Sequence, residues 1–231
     1  MRKLAIGDIH GCHKTFKALL NQIGLTKQDE LTLLGDYIDR GPDSKGVIDT
    51  ILKLQKDGYN VRTLRGNHEQ MLLDAVNVHN DFSDFERWIN RAGGKATVDS
   101  FGESLEDYLP FFNALPYVFA DEEFVFVHAG LNFKLHDPLL DENSMLWIRN
   151  FYKDINTKWL KKRLIVHGHT PIAFNEIQKR YHQWTKKSFF YIPALNLDAG
   201  CVYGNDGLVA VDLTYQQLYL QANLDDVNYF W

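Results

Sequence analysis

The chain has 231 residues, 45% of them hydrophobic, which suits one α/β domain with a sizeable buried core. Its 25 Lys and Arg against 30 Asp and Glu leave a net charge of −5, so nothing drives it globally toward nucleic acid or an anionic membrane. Two cysteines, Cys12 and Cys201, are too few for a disulfide scaffold and fit reduced thiols in a cytoplasmic protein, and no apolar run is long enough for a signal peptide or a membrane span.

The first elements alternate. Residues 3–7 form a short apolar run that ends in Gly7-Asp8, so early that no cleaved leader is expected before it. Residues 13–23 have helical spacing through Phe16, Leu19, Leu20 and Ile23. Residues 31–34 are apolar and again end in Gly-Asp. Residues 44–56 carry a broad helical face of Val47, Ile48, Ile51, Leu52 and Leu54, with Pro42 and Asp43 as a start signal. Residues 59–64 form a third strand that runs into Arg65-Gly66-Asn67. From Asp8 to Asp36 is 28 residues and from Asp36 to Asn67 is 31, close to the about 30 residues of a β-α-β unit. Asp8, Asp36 and Asn67 therefore recur at the carboxyl ends of successive parallel strands, the edge where open α/β sheets bind ligands.

Residues 70–115 read as helical and mixed, with Phe85, Trp88, Ile89, Phe101, Leu105 and Leu109 as anchors. Residues 117–119 and 124–128 read as a hairpin around Asp121-Glu122-Glu123, its second arm ending in His128. Residues 164–167 are a buried-type strand that delivers His169, and residues 195–220 show strands around turns at 204–207 and 214–216. Mixed sheets are expected rather than a purely parallel one.

Five motifs punctuate these elements in order: Gly7-Asp8-Ile9-His10-Gly11, Gly35-Asp36-Tyr37-Ile38-Asp39-Arg40-Gly41, Arg65-Gly66-Asn67-His68-Glu69, Val127-His128-Ala129-Gly130 and His167-Gly168-His169-Thr170-Pro171. Carboxylate, amide oxygen and imidazole without thiolate suit Mn, Fe or Zn in a catalytic rather than a structural site. Asp36 can bridge two ions because its two oxygens have spare lone pairs. Such a set, with a cation and a proton donor left over, can cleave a phosphate ester.

The motifs resemble those of the phosphoprotein phosphatase family of calcineurin-like metallophosphoesterases, in particular its small bacterial and phage-type members and the symmetrical diadenosine tetraphosphatases. The resemblance runs from residue 3 to about 213 and includes Trp147-Ile148-Arg149 and Asp198-Ala199-Gly200-Cys201-Val202-Tyr203-Gly204. It implies two mixed β-sheets packed as a sandwich flanked by helices, one such domain over residues 1–231, and a centre of two divalent metal ions, Mn2+ first, with Fe or Zn as alternatives. By the same resemblance Asp8, His10 and Asp36 hold the first ion, and Asp36, Asn67, His128 and His169 the second. His68 and Asp39 correspond to the proton-donor pair, and Arg40 and Arg149 to the phosphate clamps. Pro171 stands where distant relatives carry one more His, so the first ion is expected to have fewer protein ligands. A water bridging two such ions loses a proton near neutral pH and attacks phosphorus in line.

Other residues read more plainly. His167 alternates with His169 and should point away, Glu69 should open the next helix at its positive end, Arg65 should brace the site and Cys201 should pack. The stretch 153–187 is rich in Lys and Arg, with Tyr181, Trp184, Phe189, Phe190 and Tyr191 interleaved to 191, and is either a solvated face or a basic rim by the site. The expected substrate is a phosphorylated protein, on phosphoserine or phosphothreonine first and phosphotyrosine as well, or a small phosphoester, with no membrane or nucleic-acid partner. The alternative is symmetrical hydrolysis of diadenosine tetraphosphate to ADP, and a metal-loaded but inactive binding protein is a third reading. The lean toward phosphomonoesters rests on an acidic wall expected at 80–107, with Asp81, Asp84, Glu86, Asp99, Glu103, Glu106 and Asp107, which repels a polyphosphate.

Overall fold

The computed structural model describes residues 1–76, 82–187, 192–204 and 206–227. Strands β1 (Lys3–Ile6), β2 (Glu30–Leu33) and β3 (Asn60–Thr63) alternate with helices α1 (His13–Ile23) and α2 (Ser44–Lys56). Then follow α3 (Asn67–Val76), α4 (Phe82–Arg91), α5 (Gly94–Phe101), α6 (Leu105–Asn113), β4 (Val118–Ala120) and β5 (Phe124–Val127). The rest is α7 (Glu142–Trp147), α8 (Thr157–Leu160), β6 (Leu164–His167), α9 (Phe174–Thr185), β7 (Ala194–Asn196), β8 (Leu208–Asp212) and β9 (Gln217–Gln221). Helix α2 starts at Asp43, whose carboxylate accepts the Gly46 N–H at 2.8 Å. Helix α1 stops at Gly24, where φ is 61° and the left-handed turn returns its N–H to α1 carbonyls.

Both sheets are mixed. One has the order β3-β2-β1-β8-β9, with β1, β2 and β3 parallel and β8 and β9 antiparallel additions. The other has the order β4-β5-β6-β7, with an antiparallel β4–β5 hairpin and β5, β6 and β7 parallel. Period-2 alternation divides the apolar residues between faces. Ala5, Val209 and Val211 meet Phe124, Phe126, Leu164, Val166 and Leu195 between the sheets. Leu4, Ile6, Leu31 and Leu33 pack outward under Phe16, Leu19, Val47 and Ile51 of the helices. Val125, Val127 and Ile165 pack outward against Leu131, Met145, Phe151 and Leu160. With both faces covered, β5 (Phe-Val-Phe-Val) and most of β6 (Leu-Ile-Val-His) are continuous apolar runs, as parallel strands usually are.

In the middle region Trp88 and Phe101 are buried, as anchors should be, but Phe85 is 40% exposed. Helix α4 turns Trp88 inward, and Phe85, three residues earlier, reaches only its edge. In the basic stretch, Ile177 of α9 is buried and Tyr181 and Trp184 pack on the inter-sheet core, while Lys158, Lys179 and Lys186 are exposed. Phe189, Phe190 and Tyr191 lie outside the described residues. No helix among the described residues is long and apolar enough to cross a membrane.

Candidate active site

The carboxyl ends of the parallel strands in both sheets converge, and the chain bends sharply as it leaves them. His10, Asp36, Asp39, Arg40 and His169 all have left-handed backbone, with φ of 48°, 52°, 72°, 69° and 70°. For non-glycine residues this costs about 1–2 kcal/mol each, and such strain persists where the surroundings enforce it. Here the turns hold one another. The N–H groups of Ile9 and His10 donate to the Asp36 carbonyl at 3.0 and 2.8 Å, and the Arg40 N–H donates to Gly93 at 3.1 Å. Glycine is required where a carboxylate presses on backbone: a Cβ on Gly66 would lie 2.1 Å from Asp36 Oδ1, and one on Gly168 1.9 Å from Asp8 Oδ1.

Asp8, His10, Asp36, Asn67, His128 and His169 are all buried. Two compact groups of ligand atoms emerge, His10 with Asp36 and His68, and Asp36 with His128 and His169, and they share Asp36. His128 Nδ1 faces the Leu34 carbonyl at 2.9 Å and must carry the proton there. Its Nε2 then points a lone pair at Asn67 Oδ1, 2.9 Å away, and at Asp36 Oδ2, 3.4 Å away. His169 Nδ1 meets the same amide oxygen at 2.8 Å. His10 repeats the pattern, with Nδ1 on the Ile38 carbonyl at 2.9 Å and Nε2 3.5 Å from Asp36 Oδ2. Lone pairs that converge with carbonyls fixing the far ring nitrogens fit a cation site and its outer support. Asp8 differs: its carboxylate accepts the His169 N–H at 3.0 Å and stands outside both compact groups.

The electrostatics agree with that fit. Burial pushes the Asp36 carboxyl up to about 7. Burial, then the charges of Asp198 and Asp36, hold the Asp8 carboxyl well above its ordinary range. Burial drives His128 down to about 3 and His169 to about 2, so both rings are neutral lone-pair donors. A divalent ion would reverse the penalty on the carboxylates.

Beside these groups, His68 Nδ1 lies 2.6 Å from Asp39 Oδ2. Asp39 is fully buried and also accepts from Trp88 Nε1 at 2.9 Å and Thr97 Oγ1 at 2.6 Å. Burial raises this carboxyl and lowers the imidazole, while the three donors favour the ionised carboxylate. Arg40 Nη1 lies 2.7 Å from His10 Nε2, with its guanidinium over the Tyr203 ring. Arg149 is exposed and donates to Thr170 Oγ1 at 3.1 Å. Arg40, His68 and Arg149 line one cavity of about 50 Å³ with His10, Asp36, Asn67, His169, Pro171, Asp198 and Tyr203.

Two expectations change. Glu69 does lie in the first turn of α3, but its fully buried carboxylate chiefly accepts the N–H groups of Asp36, Tyr37 and Gly66 at 2.9, 2.7 and 2.9 Å. It therefore holds the second motif in place. The acidic wall is also absent from the cavity: Glu86, Asp99, Glu103, Glu106 and Asp107 are exposed, Asp84 pairs with Arg87 and Asp99 with Lys95. Asp81 lies outside the described residues. The amphipathic helices turn Trp88 and Thr97 toward the site and their acids toward water. Arg65 donates to the Asn113 carbonyl at 2.9 Å and braces α6, while His167 meets Tyr152 Oη at 3.0 Å, away from both ligand groups. Asp198 also lines this cavity, and its only signal in the sequence is an acidic residue just past a strand.

A family model of calcineurin-like phosphoesterases matches residues 1–205. A symmetrical bis(5'-nucleosyl)-tetraphosphatase of Nitrosomonas europaea is 34% identical over 134 residues, 57% of this chain and 45% of that protein. One from Proteus mirabilis is 28% identical over 174 residues, 69% of this chain and 60% of that protein. The chain thus spans about half the length of these curated relatives. The fold matches the crystal structure of a candidate diadenosine tetraphosphatase, with a TM-score of 0.64 at 20% identity over 96% of this chain and 93% of that one. It also matches a serine/threonine phosphatase from Saccharomyces cerevisiae, with a TM-score of 0.59 at 17% identity over 99% and 81%. That family model spans most of the chain and the ligand groups lie within the residues it matches, so the chain belongs to the calcineurin-like phosphoesterase family.

Proposed function

We propose that this chain is a dinuclear metal-dependent hydrolase that cleaves dinucleoside tetraphosphates symmetrically, with residues 1–231 forming one catalytic domain. The observation that carries the reaction class is the pair of ligand groups meeting on Asp36. Asp8, His10 and Asp36 hold one ion, and Asp36, Asn67, His128 and His169 the other. Mn2+ fits these oxygen and imidazole donors, as do Fe and Zn. When bound, the two ions supply an activated water and positive charge at the phosphoryl group. Arg40 and Arg149 neutralise the non-bridging oxygens with planar forks that match phosphate. His68 acts as the imidazolium, its second proton compensated by the ionised Asp39 carboxylate on Nδ1–H; it gives the Nε2 proton to the leaving oxygen, is left neutral and regains that proton from water.

The substrate class departs from the phosphoprotein expected on sequence. Support for the dinucleotide comes from the names of the relatives, and five of the acids expected to repel a polyphosphate, Glu86, Asp99, Glu103, Glu106 and Asp107, are exposed and do not line the cavity. The test is an assay with manganese against diadenosine tetraphosphate, a phosphoserine peptide and p-nitrophenyl phosphate. The expected result is the highest kcat/KM on the dinucleotide, with ADP as its only nucleotide product. A higher kcat/KM on the phosphopeptide would restore the phosphoprotein reading, and AMP plus ATP would remove the symmetrical one.

A further inference from the structure

One carboxylate in the cavity has no role in the chemistry above. Asp198 follows β7, is 4% exposed and lines the cavity beside His10, Asp36 and Arg40. Its own turn pins it: its N–H donates to Asn196 Oδ1 at 2.8 Å and its Oδ1 accepts the Gly200 N–H at 2.9 Å. Among the described residues Gly200 is the only hydrogen-bond donor to this side chain, so Oδ2 is free toward the cavity. An asparagine would make the same turn without a charge. The turn therefore does not explain why a carboxylate is buried beside two others.

That charge has a cost, because buried like charges need a compensating cation. The assigned ligands of the first ion are only Asp8, His10 and Asp36, and Pro171 in the same cavity has no side-chain atom to offer. Asp198 stands outside both compact ligand groups.

Resting on the two-ion reading, we propose that Asp198 is a positioning residue for the first metal ion, its free Oδ2 holding a water of that ion and its charge completing the anionic side of the site. The test is manganese titration of metal-free wild type and of Asp198→Asn and Asp198→Ser, each of which keeps an acceptor for Gly200, by calorimetry or by the electron paramagnetic resonance of free Mn2+. Wild type should bind two ions. The variants should bind one with unchanged affinity and the other about 10–100-fold more weakly, the usual loss for an outer partner of a metal site. In chelator the variants should melt at or above the wild-type temperature, because a like charge is gone, and should gain less from manganese. A merely structural Asp198 predicts the reverse, an earlier melt in chelator with both affinities unchanged, and that result would overturn the proposal. Wild type binding no manganese would instead sink the two-ion reading itself.

Discussion

At the scale of single residues, the His68–Asp39 pair offers the sharpest test. Burial and then the Arg40 charge disfavour the imidazolium, whereas Asp39 at 2.6 Å, itself fixed by Trp88 and Thr97, accepts the Nδ1 proton, fixes the ring's direction and offers a negative charge to balance a second proton on Nε2. A proton donor matters most when the departing oxygen is a strong base. His68→Asn should therefore lower kcat by about 10²–10⁴-fold on an alkyl phosphate. On p-nitrophenyl phosphate, and on a dinucleotide whose leaving group is ADP, the loss should be smaller, with manganese stoichiometry unchanged. Equal losses on aryl and alkyl substrates would take His68 out of the acid role. Most of this site was legible because its residues sit in motifs at strand ends. Glu69 was not, since an acid at the start of a helix satisfies a simpler rule, and only the fold shows its carboxylate on the N–H groups of Asp36 and Tyr37.

At the scale of elements, the β-α-β rhythm was readable because Asp8, Asp36 and Asn67 recur at the length of one unit. The face that α4 and α5 present was not. The sequence shows their acids, but which side meets the site depends on the packing of Trp88 and Thr97 against Asp39. Thr97 is the contact to remove. Its Oγ1 donates to Asp39 Oδ1 at 2.6 Å and accepts the Asp39 N–H at 2.8 Å, all buried. Thr97→Val keeps the shape and strands both groups, although Ser44 Oγ at 3.2 Å can still take the N–H. The variant should lose about 1–3 kcal/mol, seen as a lower urea midpoint at unchanged slope. By contrast, the exposed Lys95–Asp99 pair on the outer face of α5 should contribute about 0.5 kcal/mol or less. A Thr97→Val midpoint equal to wild type would mean that α5 does not support the site.

At the scale of the molecule, the proposed ligands divide unevenly between the sheets. Asp8, His10, Asp36 and Asn67 leave the ends of β1, β2 and β3 in one sheet, while His128 and His169 leave β5 and β6 in the other. The first ion is then held within one sheet, and the second spans both. Without an ion the sheets meet here through lone pairs and buried carboxylates that repel, whereas the apolar residues between them attract. Metal binding should therefore act as a clamp on the whole fold. An ion at about 100 times its Kd adds about 2.7 kcal/mol per site, which for a chain of this size is a rise in Tm of roughly 5–10 °C. His128→Ala should remove the part of that rise due to the ion shared between the sheets and leave the other, because His128 touches only one ligand group. The measurement is thermal unfolding of both proteins in chelator and across a manganese series. A wild-type Tm that does not move with manganese, or a His128→Ala protein that keeps the full rise, would mean that no ion joins the two sheets.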